Sequence, residues 1–339
     1  MTRVLSEGFE MQDLVGYSGY GNVSINGTYK RSGNVGLLFS EANFYLPFTA
    51  IAEGYFRLGY YYISGNATTN KYILIQWRSG TTVLGYIKID YLASGFPNVV
   101  VPGVSSTFGT TILGAGYWYL IEIHIKIDDA TGEIKVKIDG NDEITVSGDT
   151  KPDANATFDN IFITFSSIGG VGNTLYWAID DLALNDTAGA VDNSWCGDGK
   201  IIVLKPNGDT ATLDLTPSAA VDHYTLVEDI PADGDTTYVE SSVDDEEDIY
   251  DLAACGLGEV IITRIWSEAR AKDTAASGLK VALITKASGG AEVSGGDITL
   301  TNSYTTKVLG AAELVNPVDS AAWEVADLDA LQGGPRKRS

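Results

Sequence analysis

Between Tyr117 and Asn141 apolar and polar residues take turns. Ile121, Ile123, Ile125 and Ile127 alternate with Glu122, His124 and Lys126. After Asp128-Asp129-Ala130-Thr131-Gly132, Ile134, Val136 and Ile138 alternate with Lys135 and Lys137. A period of two predicts strands, each with a branched apolar row facing a core and a charged row facing water, and the break supplies turn residues. The segment reads as an antiparallel hairpin. Two strands alone are marginally stable, so the pattern also calls for a wider sheet and a second layer over the isoleucines.

The same reading extends through the first half. Strands are expected at Val35–Phe39, Ala42–Leu46, Glu53–Ile63, Lys71–Arg78, Thr82–Asp90, Asn160–Ser166 and Leu175–Leu184, with Lys71–Asp90 forming a second hairpin across Ser79-Gly80-Thr81. Polar turns at near-regular spacing, with no helical period, predict an all-β chain whose N-terminal part is a two-sheet jelly-roll sandwich. Asn185–Gly189 marks the expected boundary, giving a jelly roll over 1–188 and a second, β-sandwich-like domain over 189–334. In that second domain Glu259–Arg270 is expected to pair with Gly278–Thr285, and Ala321–Gln332 has mixed period compatible with a short helix. Residues 335–339 read as a basic tail, and the stretch from Gly333 onward as a frayed end.

Composition sharpens this picture. In 339 residues there are 38 glycines, 9 prolines, 18 tyrosines, 10 phenylalanines and 6 tryptophans, which suits many tight turns between strands. The formal charge of −23 repels nucleic acid and anionic lipid, so neither nucleic-acid binding nor membrane insertion is expected. No apolar run approaches the roughly 20 residues of a membrane helix, and the opening MTRVLSEGFEMQDL lacks the order of a secretory signal. Cys196 and Cys255 read as free buried thiols. The Asn-X-Ser/Thr sequons at Asn22, Asn26, Asn66, Asn155 and Asn185 read as turn composition.

Gly8-Phe9-Glu10, Tyr117-Trp118, Ile138-Asp139-Gly140 and Ile179-Asp180-Asp181-Leu182 resemble the laminin-G-like, concanavalin-A-like jelly-roll superfamily over about residues 3–188. Residues 190–334 resemble a module of tailed-bacteriophage structural proteins. That likeness rests on Asp192-Asn193-Ser194-Trp195-Cys196-Gly197-Asp198, Leu204-Lys205-Pro206-Asn207-Gly208-Asp209, Asp235-Thr236-Thr237-Tyr238-Val239 and Trp323 through Gln332. Together the resemblances imply a virion protein, assembled in the host cytoplasm as part of a capsid decoration, head fibre or tail. It would form homo-oligomers and contact other virion proteins. The alternative they imply is a carbohydrate-binding adhesin that recognises host-surface or environmental glycans through jelly-roll loops.

Catalytic signatures are sparse. No strand carries the Glu-X-Asp-X-X-Glu order of a jelly-roll glycosidase, and Glu240, Asp244 and Glu246 fall in an acidic loop, so a non-enzymatic protein is expected. His124 reads as a surface residue in a charge ladder, and His223 as a strand start without zinc partners. Calcium is the cofactor that loop carboxylates would suit. Asp128, Asp129 and Glu133 are the candidates, with Asp139, Asn141, Glu143 and the Asp244–Asp248 run behind them. Tyr17, Tyr20 and Tyr61 are the candidates for stacking on a sugar. Tyr61 stands out because successive residues of Tyr60-Tyr61-Tyr62 must face opposite ways.

Overall fold

The protein is described here by a computed structural model covering residues 3–12, 14, 18–65, 70–90, 95–168, 175–188, 190–287, 290, 292–313 and 315–339. It divides into two compact units, Met1–Ile202 and Val203–Ser339. Among the described residues no helix is long and apolar enough to cross a membrane.

The first unit contains β1 (Arg3–Glu7), β2 (Ser18–Asn26), β3 (Gly36–Ile51), β4 (Glu53–Gly65), β5 (Asn70–Ser79), β6 (Thr82–Asp90), β7 (Pro97–Val101), β8 (Ser105–Phe108), β9 (Trp118–Lys126), β10 (Gly132–Ile138), β11 (Asn141–Gly148), β12 (Phe158–Ile168) and β13 (Leu175–Asp186). Hydrogen bonding links them in the order β11-β10-β9-β4-β13-β3-β12-β5-β6-β7-β8, with β1 added to β13 and β2 to β3. All of these pairs are antiparallel. This is the jelly-roll-like sandwich that the alternation predicts.

Sequence periodicity suggests two strands where the structure has the single long β3. Its buried row runs Leu37, Phe39 and then Ala42, Phe44, Leu46. The phase slips by one at Glu41, whose φ of 53° lies in the left-handed region, so the strand bulges there without ending. Before the bulge β3 pairs with β13, and after it with β12. In the core Trp177 stacks on its cross-strand neighbour Phe39 with centroids 3.9 Å apart, and Phe44 meets both Phe39 and Phe9 edge-on.

The central hairpin forms as expected, with Ile134 opposite Ile125 and Ile138 opposite Ile121. Its outer row departs from expectation, since Glu122 and His124 are 4% and 6% exposed. The segment from Asp192 to Ile201 lies over them as a strap, and this covering was invisible to local periodicity.

The second unit contains β14 (Pro206–Leu213), β15 (Thr216–Pro217), β16 (Val239–Glu240), β17 (Asp248–Leu252), β18 (Ile265–Ala271), β19 (Lys280–Lys286), β20 (Glu292–Ser294), β21 (Ile298–Thr299), β22 (Thr305–Glu313), the one-turn helix α1 (Val325–Leu328) and β23 (Gln332–Arg338). Its main sheet runs β14-β17-β23-β19-β20, with β21 also on β19, and two ribbons, β15-β16 and β18-β22, stand beside it. Two sequence expectations are corrected here. The strand beginning at Ile265 pairs with β22 and not with the Gly278–Thr285 segment. The supposed tail is β23, an interior strand between β17 and β19. Arg336 pairs with Glu247 and Glu292, Lys337 with Asp244, and Arg338 with Asp245 and Asp297, so the acidic run and the basic run neutralise one another. The helix is closed by a reciprocal capping box between Glu324 and Asp327, with Trp323 and Leu328 buried beside it.

Candidate functional site

The outer face of β4 and β9 in the first unit gathers most of the chemistry. Register sets Tyr55 opposite His124, Arg57 opposite Glu122, Gly59 opposite Leu120 and Tyr61 opposite Trp118. Alternation sends Tyr60 into the core, fully buried, and Tyr61 outward. One face therefore carries rings at both ends and an ion network between them.

At one end Tyr61 sits between Trp118, 5.2 Å away at 47°, and Tyr29, 5.6 Å away at 42°. All three rings are partly exposed. Ala178, the cross-strand neighbour of Tyr61 on β13, adds no bulk beneath them. Tyr29 arrives from the turn after β2, where the Asn26 side chain accepts hydrogen bonds from the Thr28 and Tyr29 amides at 2.7 and 3.0 Å.

In the middle, the Asp180-Asp181 pair of β13 is fully buried and built as a double receptor. Asp180 Oδ2 accepts from the Arg31 and Ser32 amides at 2.8 and 3.1 Å. Asp181 Oδ2 pairs with Arg31 Nη1 at 2.8 Å, and its Oδ1 accepts from the Ile201 amide at 2.9 Å. Arg57 donates to the Asp181 and Gly197 carbonyls, both at 3.0 Å, and Glu122 accepts from the Gly197 amide at 2.7 Å. The Cys196 thiol donates to the Tyr55 carbonyl at 3.2 Å, and burial pushes it up to about 11. The strap is thus held along its backbone by charged groups of the sheet.

Burial, reinforced by the neighbouring Asp181 charge, pushes the Asp180 carboxyl up to about 7. A carboxyl raised on folding is protonated in the native state where the unfolded chain is already ionised. Its contribution to stability is therefore present at low pH and lost as pH rises towards neutrality. Asp180→Asn removes that titration. The melting temperature of the natural protein minus that of Asp180→Asn should fall between about pH 5 and about pH 8. A difference that stays constant or grows would contradict this account.

At the other end the His124 ring lies flat on Tyr55, centroids 4.3 Å apart at 10°, with Trp195 of the strap edge-on. Nε2 meets Glu53 at 2.8 Å and Nδ1 meets Glu133 at 3.1 Å. With a carboxylate on each nitrogen the ring ties three strands together, and neither nitrogen faces outward as a base would. His223, in the second unit, belongs to a single 3₁₀ turn and not to a strand start. Its Nδ1 meets the buried Asp248 at 2.8 Å, and Asp248 also accepts from the Tyr250 hydroxyl at 2.8 Å.

The sequence-derived candidates separate. Tyr17 lies outside the described residues, and Tyr20 lies in β2, where only its backbone is described. Of the stacking set Tyr61 alone is placed, and it brings in Tyr29 and Trp118, which pattern reasoning did not select. The calcium candidates do not converge. Asp128 accepts from the Ala130 and Thr131 amides, Asp129 pairs with Lys151, and Glu133 turns to Lys135 and His124. Among the described residues no group of three or more His, Cys, Asp or Glu side chains is arranged to hold a metal ion. Both cysteines are free.

No family model matches the chain, and the comparison with curated proteins gives no match. Solved structures do resemble it. A cellulose-induced protein matches at 14% identity and TM-score 0.42, over 57% of this chain and 100% of its own. An alginate lyase matches at 13% and 0.40, over 55% of this chain and 93% of its own. A carbohydrate esterase from a Shiga toxin-encoding bacteriophage matches at 15% and 0.39, over 54% and 98% respectively. These likenesses concern the fold. The expectation of a non-enzyme is corrected at this point, because structures similar to the chain include alginate and glucuronan lyases and an esterase. The missing carboxylate pair bears on glycoside hydrolysis alone, since elimination and ester cleavage do not require it.

Proposed function

We propose that the first unit binds a glycan chain on the outer face of β4 and β9, with Tyr29, Tyr61 and Trp118 as the stacking surface. The observation that carries this reading is the trio itself: three tilted, partly exposed rings on adjoining elements. Aromatic rings of this kind take up the apolar faces of sugars while the sugar hydroxyls keep their water. The chain's formal charge of −23 favours an uncharged polymer over a polyuronate, which it would repel. The resemblance of residues 190–334 to a tailed-phage structural module supports a setting for this unit, displayed on a particle whose contact with surface glycans it would mediate.

Titration calorimetry with neutral and acidic polysaccharides tests the reading. Tyr61→Ala and Trp118→Ala should each lower affinity for a neutral glycan by about tenfold, or about 1.4 kcal/mol, with melting temperature held. Equal affinity in both variants would remove the platform from consideration. The same mixtures, followed for new reducing or unsaturated ends, show whether a bound polymer is also cut.

A further inference from the structure

We infer that the loop from Gly109 to Tyr117 forms a second sugar subsite beside the ring trio, with Tyr117 as its contact residue and Glu143 as the positioning residue that sets it. The inference rests on the glycan-binding reading above and extends it to chain length. The loop joins β8 to β9, crossing from one edge of the hydrogen-bonded order to the strand that carries Trp118. It passes the end of β4, where the Gly116 amide donates to the Tyr62 carbonyl at 2.9 Å and Ala115 bridges to Tyr62. Tyr117 therefore stands one residue beyond the Tyr61–Trp118 pair.

Exposed apolar residues on a floppy loop would carry little meaning, but this loop is fixed. Glu143 of β11 accepts from the Thr110 amide, from the Thr111 amide at 2.6 Å and from the Thr111 hydroxyl at 2.8 Å. Gly109 is what admits the carboxylate, because a Cβ there would lie 2.3 Å from Glu143 Oε1. These bonds hold the Glu143 carboxyl below the ordinary glutamate range against the effect of burial. The Gly114 amide donates to the Tyr119 hydroxyl at 3.0 Å, the Leu113 amide to the Gly95 carbonyl at 3.1 Å, and the Leu113 side chain plugs the core at 1% exposure. On that frame Ile112 and Tyr117 are left 57% and 69% exposed. A ring on a loop fixed next to the strand that carries Trp118 binds with little cost of ordering.

An oligosaccharide ladder tests this, with affinities measured by calorimetry from the disaccharide upward. In the natural protein affinity should rise with length. Tyr117→Ala should leave the disaccharide unchanged and lower the affinity of the longest oligomer by about tenfold, flattening the ladder. Glu143→Ala should flatten it likewise, while Glu143→Gln, which keeps acceptor oxygen on the loop, restores part of the rise. A merely structural residue would lower every rung together. If Tyr61→Ala weakens all rungs while Tyr117→Ala and Glu143→Ala leave the slope intact, the subsite is refuted and the ring platform stands. If Tyr61→Ala changes nothing, or the natural protein binds no member of the ladder, both readings fall.

Discussion

Deleting Pro335–Ser339 should unfold the second unit while leaving the first intact. β23 pairs with β19 from Gln332 opposite Lys286 to Arg338 opposite Lys280, and with β17 through Gly333 opposite Tyr250. Removing its second half leaves most of β19 without a partner on that side and uncovers Val281, Leu283 and Ile284, which are otherwise buried. Each lost backbone hydrogen bond costs about 1 kcal/mol net, and the stripped carboxylates Asp244, Asp245 and Glu247 are left to repel one another. The total is on the order of 5 kcal/mol, comparable with the whole stability of an ordinary domain. Hydrogen exchange by mass spectrometry reads the result. Amides of β17 and β19 should lose protection and those of β9 and β10 keep theirs. Retained protection in β19 would show that the sheet does not depend on its interior strand. A milder variant, Gly334→Ala, attacks the same point, because a Cβ there would lie 1.9 Å from the Asp248 carbonyl oxygen.

Arg57→Ala should be the most damaging single substitution on the outer face of the first unit. Arg57 is 3% exposed, and its removal takes a donor from the Asp181 carbonyl and leaves the Gly197 carbonyl only the Gly199 amide. Glu122, its cross-strand neighbour, would remain buried without the facing cation. Loss of one member of a buried charged set costs about 3–5 kcal/mol, which for a unit of this size lowers the melting temperature by roughly 6–20 °C. The loss should be local as well as global: protease cleavage within Asp192–Ile202 should accelerate well before the sheet itself opens. An Arg57→Ala protein with a resistant strap would mean that the remaining contacts, from Arg31, Asp181, Asn185 and Glu122, suffice to hold it.

The inward rows were legible because burial on a strand follows a period of two, as Ile121, Ile123 and Ile125 demonstrate. The outer row was not. Glu122 and His124 read as solvent-facing because their cover arrives from the distant strap, a non-local fact that no window contains. The slip at Glu41 hid in the same way, since alternation simply appeared to stop and restart. Gln332–Arg338 escaped notice because glycine, proline and three cations are poor strand formers on their own; its place depends on carboxylates from Asp244, Asp245, Glu247, Glu292 and Asp297. The proposed glycan-binding face was half readable. Alternation turned Tyr61 outward, but the register that sets Trp118 across from it, and the turn that brings Tyr29 over, exist only in three dimensions. The Gly8-Phe9-Glu10 and Ile179–Leu182 motifs marked the fold correctly for a physical reason: Phe9 is core, Glu10 holds the Asn34 amide, and Asp180-Asp181 anchor the strap.

The position of β23 also bears on biosynthesis. Translation delivers β17 and β19 before the strand that joins them, so for a time each presents a bare edge towards the gap, and bare edges invite pairing between neighbouring nascent chains on a polysome. During that interval Asp244, Asp245, Glu247, Glu292 and Asp297 have been made while Arg336 and Arg338 have not. The carboxylates that later clasp β23 would meanwhile repel their counterparts on the next chain, acting first as a guard against aggregation and only afterwards as half of an ion-pair ladder.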